Sequence, residues 1–245
     1  MHDSGSRQGV ESNSGRVGVV CALAALALAA GCAPVGRAPP RSERVAPPAP
    51  APGAVHYRID AARSEVRILV YRAGPLARLG HSHVLLAGGL EGELWLPSDP
   101  AAARWRLSFP AAALVVDDPA ARREEGEEFA SEPSAADVAG TRRNLLGPAV
   151  LDADRYPLLR LDGSAARVAA GLVARVRIVL RDRALELEVP VAVAAADGAL
   201  VVRGGCTLLQ SALGLAPFSV GLGALRVRDD LAVRFRLVAV PDPAG

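Results

Sequence analysis

From Val55 onward the chain alternates apolar and polar residues with a period of two. Val55, Tyr57 and Ile59 oppose His56, Arg58 and Asp60; Trp105, Leu107 and Phe109 oppose Arg104, Arg106 and Ser108. The pattern lengthens after residue 157. Leu172, Ala174, Val176, Ile178 and Leu180 share one face, Leu185, Leu187, Val189, Val191 and Val193 another, and Leu231, Val233, Phe235 and Leu237 a third. Glu186, Glu188, Arg234 and Arg236 fall on the opposite faces. Repeated strand after strand, one apolar and one charged face predicts antiparallel sheet that is wet on one side. Asp197-Gly198 between two such runs is a hairpin signal, and Arg181-Asp182-Arg183 reads as a second tight connection.

The alternation breaks between residues 117 and 157. Ser134 to Leu146 reads as a helix, with Ser134 as N-cap, Asp137 in its first turn and Gly147-Pro148 as its stop. Pro157 biases Tyr156 toward extended backbone, where a new strand starts. Arg122-Arg123-Glu124-Glu125 and Glu127-Glu128 around Gly126 read as a solvated loop or helix. So many long strands need either closure into a barrel or a second packed sheet.

The helix and its exit carry a family resemblance. Leu145-Leu146, Val150-Leu151-Asp152 and Tyr156-Pro157 follow the order of a motif in YceI-like, polyisoprenoid-binding, lipocalin-like proteins, with Val150 where those have Phe. Arg142-Arg143-Asn144-Leu145 resembles their Arg-Asp-X-His-Leu segment but lacks the His. Tyr57-Arg58-Ile59-Asp60 with Ser64-Glu65-Val66 resembles their opening strand. Ser211 to Phe218, SALGLAPF, resembles a late turn without its Asp and first Phe. The resemblance spans about residues 55 to 240. It implies a mainly β fold: an eight-stranded, antiparallel, lipocalin-like barrel with a short helical lid insertion. Eight strands leave an interior that is either filled by side chains or holds one small ligand. The implied ligand is an isoprenoid or other long-chain lipid, and the implied contacts are Arg142, Arg143, Asn144, Leu145, Leu146, Tyr156 and Phe218, with the arginines facing a polar head.

The N-terminal region has another composition. Val17 to Ala30 is a small apolar run that follows Arg7 and Arg16 and ends at Gly31-Cys32. It is too short to span a bilayer comfortably and reads as a signal peptide over residues 1–31. Its Leu28-Ala29-Ala30-Gly31-Cys32 ending resembles a lipobox, which implies acylation of Cys32, anchoring in a membrane, and a bacterial envelope protein facing the periplasm. Residues 32–53 are rich in Pro and Ala and read as an extended tether. Residues 54–241 are then the barrel domain.

Charge and chemistry narrow the function. Lys+Arg is 28, Asp+Glu is 26 and the net charge is +2. The basic residues are all arginine and form no block interleaved with aromatics, which gives no support to a nucleic-acid partner. Beyond Cys32 only Cys206 remains, in an apolar strand, and its simplest reading is a small buried hydrophobe. The sequence has no Gly-X-Ser-X-Gly, HExxH, CxxC or phosphate-binding glycine loop. That favours a binding protein over an enzyme and implies no cofactor. In a strand, His81 and His83 of Gly-His-Ser-His share a face, as two metal ligands would, but a zinc site needs three or four. The expected role of His81 and His83 is a polar rim at the barrel mouth or hydrogen bonds to a ligand head group.

Overall fold

The computed structural model describes residues 51–243, and the proposed signal peptide, Cys32 and most of the tether lie outside them. The period-two runs form strands β1 (Val55–Ile59), β2 (Glu65–Ala73), β3 (His83–Ala87), β4 (Glu91–Leu96), β5 (Arg104–Pro110) and β6 (Leu114–Val116), followed by β7 (Leu158–Val168), β8 (Gly171–Leu180), β9 (Arg183–Ala196), β10 (Ala199–Leu209), β11 (Ser219–Val220) and β12 (Leu225–Pro241). The insertion between β6 and β7 holds helices α1 (Pro119–Arg123) and α2 (Ala135–Leu146).

Eight of these strands close a ring in the order β1-β4-β5-β7-β8-β9-β10-β12, and β12 returns to β1. All neighbours are antiparallel. The fold is therefore the eight-stranded barrel expected. Strand β12, 17 residues long, makes the closure. One edge pairs with β10 from Asp230 to Ala239, and the other pairs with β1 at one end and β2 at the other. From β2 the sheet continues through β3 to β6 outside the ring.

Local chemistry sets the turns. Asp197 and Gly198 join β9 to β10 with φ of 50° and 74°, the double positive φ that matches strand twist. Arg181 plays the same part at the β8–β9 turn with φ of 55°. Two inward glycines make room for rings. A Cβ on Gly163 would collide with the Arg175 carbonyl oxygen and lie 2.7 Å from the Trp105 ring, and one on Gly204 would lie 2.5 Å from the Phe235 ring. Each glycine faces its aromatic directly across the ladder.

Helix α2 begins with a full capping box: the Ser134 hydroxyl accepts from the Asp137 N–H, and Asp137 accepts from the Ser134 N–H at 3.1 Å. Arg142 ties the helix to the sheet, donating to the Leu114 and Ala112 carbonyls at 2.5 Å each. Leu145, Leu146, Val150 and buried Leu151 then pack against Leu180, Leu208, Leu213 and Leu215. The helix and its exit close this end of the barrel.

The charged run of the insertion departs from expectation. It is not a solvated loop. Residues 117–131 form a strap over the outer face of β2 and β3, with a core of its own made by Leu69, Val84, Ala121 and Phe129. Arg122 is buried, and the Glu125 side chain is 2% exposed. Glu124 and Glu125 both accept from Arg67, at 2.9 and 2.7 Å, and Arg234 pairs with Glu125 from the neighbouring strand. A buried arginine on β2 demands these carboxylates, so the run is held down by charge pairing.

Gly163→Ala should force the β7–β8 ladder apart and lower stability by about 1–3 kcal/mol. Urea denaturation followed by tryptophan fluorescence reads this directly, because Trp105 lies on the glycine. An unchanged midpoint would mean that the ring has room elsewhere.

Candidate functional site

Inward residues do not fill the ring evenly. Near α2 the side chains of Leu90, Phe109, Leu114, Leu151, Leu180 and Leu213 pack solidly. Toward the other end Ala174, Val176, Val191, Val193 and Val202 stand among the leucines, and a cavity of about 550 Å³ opens. Its walls are Leu94, Leu96, Trp105, Leu172, Ala174, Val176, Leu187, Val191, Val193, Leu200, Val202, Phe235 and Leu237. The volume lies in the range of pockets that take a small organic molecule. The period-two pattern supplies its walls: the residues that share a face in sequence are the ones that line it.

Polar groups are few. Glu93 and Arg106 border the cavity and pair with each other, and Arg106 lies over the Trp95 ring, 5.3 Å from its centroid. Arg167 sits at the rim with Asp99, 3.7 Å away. Cys206 also lines the wall, half-buried and free. Burial pushes its thiol above the ordinary range. The cysteine is thus apolar in behaviour, as expected, but it faces a cavity and not a packed core.

The cavity is bounded by the ends of β4, β7, β9 and β12 and the starts of β5, β8 and β10, which places its mouth at the β7–β8 and β9–β10 hairpins. Helix α2 lies at the opposite end, and the chain enters β1 at the mouth end, where Val55 pairs with Leu96.

None of the ligand-contact residues expected from sequence lines this cavity. Arg142 is spent on two carbonyls. Arg143 and Asn144 are exposed on α2. Leu145 and Leu146 belong to the packed core at the closed end. Tyr156 donates to Asp182 at 2.5 Å, which holds the α2 exit against the β8–β9 turn; that bond raises the tyrosine pKa. Phe218 is 42% exposed beside β11, also at the closed end. The lining residues were visible in the alternation, but that pattern holds nothing to separate an empty layer from a filled one.

His81 and His83 stand with the strap outside the barrel. Their rings meet edge-on, 6.5 Å apart. His83 Nδ1 lies 2.6 Å from the Asp117 carboxylate, and His81 Nδ1 is 3.2 Å from the Ser131 hydroxyl. Asp117 also accepts from the Val84 N–H at 3.0 Å and from Arg122 at 2.5 Å. Arg122 further donates to the Ser82, Phe129 and Ser131 carbonyls. Burial alone would push the Asp117 carboxyl up, but the hydrogen bonds from His83, Val84 and Arg122 outweigh it and hold it below the usual carboxylate range. His56 lies apart, on the outer face, stacked on Trp95 between Glu93 and Asp242. Among the described residues no cluster of three or more His, Cys, Asp or Glu is placed to hold a metal ion.

No family model and no curated protein matches this sequence. Solved structures do resemble it in shape. The crystal structure of BcnA from Burkholderia cenocepacia superposes with a TM-score of 0.54 at 17% identity, covering 74% of this chain and 99% of that one. The two share a fold. A polyisoprenoid binding domain from Saccharophagus degradans, implicated in plant cell wall breakdown, gives 0.48 at 9% identity over 77% of this chain and 99% of its own. A YceI protein from Campylobacter jejuni gives 0.45 at 8% identity over 64% and 84%. At such identities the likeness is one of fold.

The Asp117 cluster makes a pH prediction. Its carboxyl is depressed in the folded chain, so its stabilisation is fully present above the unfolded value of about 4 and is lost as pH falls through the folded value. Asp117→Asn leaves Arg122 buried without its counter-charge and should cost about 3–5 kcal/mol at pH 7. The gap between variant and wild type should narrow below about pH 4. Urea midpoints across pH 3–7 test this, and a constant gap would remove the charge from the explanation.

Proposed function

We propose that this protein is a lipid-anchored envelope barrel that carries or senses an apolar, isoprenoid-like molecule held in its cavity. The observation that carries the reading is a space of about 550 Å³ walled mainly by apolar side chains and open at one end of a closed barrel. Filling it with an apolar chain gains roughly 25 cal/mol for each Å² removed from water. The charged residues at its border are already paired, so the buried part of a guest is uncharged, and any polar head stays at the mouth near Arg167. The sequence motifs support an isoprenoid over other lipids. The apolar run that ends at Cys32 supports acylation, membrane attachment and a periplasm-facing domain. The reading assigns binding and no catalytic step.

Native mass spectrometry of the purified chain tests the central claim. A co-purifying long-chain lipid that is released by detergent supports it. Repeated ligand-free spectra, with no uptake of added polyprenol, would reduce the domain to a structural or partner-binding barrel.

Val202→Trp places a ring inside the cavity without touching the packed end. It should weaken binding of a fluorescent prenyl probe at least about tenfold while leaving the melting temperature unchanged or raised, since the ring buries apolar area in existing space. Cys206 supplies a second readout. A small apolar thiol reagent should label it in the empty barrel, and bound lipid should block labelling. Equal labelling with and without lipid would place the lipid elsewhere.

A further inference from the structure

The closed end of the barrel carries a surface that the cavity does not explain. The loop after β2 and the β11–β12 hairpin lie together there. The Leu76 N–H donates to the Ala224 carbonyl at 2.8 Å, a Cβ on Gly74 would lie 2.8 Å from the Gly223 carbonyl oxygen, and Gly80 packs on the Leu225 side chain. Their apolar side chains turn outward. Leu76 is 40% exposed, Leu79 66%, Val220 43% and Leu222 fully. Leu222 stands at the tip between Gly221 and Gly223. All three have positive φ, 60°, 56° and 88°, a backbone that a leucine adopts at a cost and that here presents it to solvent. Exposed large apolar residues clustered in this way mark an interaction surface.

The charge around the cluster says what it meets. Residues 73–81 and 212–228 contain no Asp or Glu, yet they carry Arg78, Arg226 and Arg228. Arg228 is paired with Asp230 at 2.6 Å. Arg78 and Arg226 have no carboxylate partner among the described residues, and both are exposed. Apolar side chains at a loop tip, ringed by unpaired arginines, match the apolar boundary and anionic head groups of a bilayer surface. We propose that this tip docks on an anionic membrane, with Leu76, Leu79, Val220 and Leu222 in the head-group layer and Arg78 and Arg226 on lipid phosphates.

The proposal is independent of what the cavity holds.

Hydrogen–deuterium exchange of the full chain tests it, with vesicles of phosphatidylglycerol and phosphatidylethanolamine and with vesicles of phosphatidylcholine alone. The anionic vesicles should slow exchange in residues 75–80 and 218–224 and leave the hairpins at 169–170 and 197–198 unchanged; phosphatidylcholine should slow neither. Tethering through the N-terminal segment alone would protect none of these loops, and lipid uptake would protect the cavity strands instead. Leu222→Asp, a fully exposed position, should abolish the protection, and Arg78→Glu with Arg226→Glu should weaken it about tenfold. Unprotected tip loops on anionic vesicles would overturn the proposal. So would tip protection that grows with protein concentration in the absence of vesicles, which would assign the surface to a second copy of the chain.

Discussion

Strand β12 is the constraint on which the rest depends. A sheet of this length has two edges with unpaired N–H and C=O groups, and only closure removes them. Strand β12 closes it because it is long enough to serve β10 along one edge and both β1 and β2 along the other. The sharing is possible because β1 and β2 meet at a short turn. There Ser64 accepts from the Val238 N–H at 2.9 Å and Asp60 caps residues 61–63. The same sharing pushes β2, β3 and β6 beyond the ring, and that extra sheet needs a cover. The strap over residues 117–131 provides it, and its buried ion pairs follow from the arginines that β2 and α1 put under it.

Much of this was legible in the sequence. Period-two alternation named the inward residues of β5, β8, β9 and β12 correctly, because one wet and one dry face leave no other arrangement. The Asp197-Gly198 turn and the Ser134–Leu146 helix were readable for the same reason: their chemistry is local. The extra strands β3 and β6 were not, since three to five apolar residues fit many contexts. The charged strap misled because Arg122 and Glu125 look like surface residues until Ser82 and Arg67, distant in sequence, are known as their partners.

The candidate site shows the same divide. Motif residues such as Arg142, Leu145 and Tyr156 mark the insertion, and each of them holds the fold together, Arg142 by clamping two carbonyls, Leu145 by a core contact and Tyr156 by anchoring a turn. The cavity has no motif. It arises where Ala174, Val191 and Val202 stand instead of larger residues, and single small side chains carry no signal of their own. Volume is a property of a whole layer of the barrel.

The uneven filling of the barrel divides labour along single strands. In β8, Leu180 belongs to the packed end while Leu172 and Ala174 wall the empty one. In β9, Leu185 packs against that end while Val191 and Val193 face the space. Each strand is therefore clamped at one end and free of packing demands at the other. A change of side chain near the mouth alters the shape of what fits, and a change near α2 alters whether the chain folds. A barrel organised in this way can drift from one guest to another over many generations while its foundation stays in place.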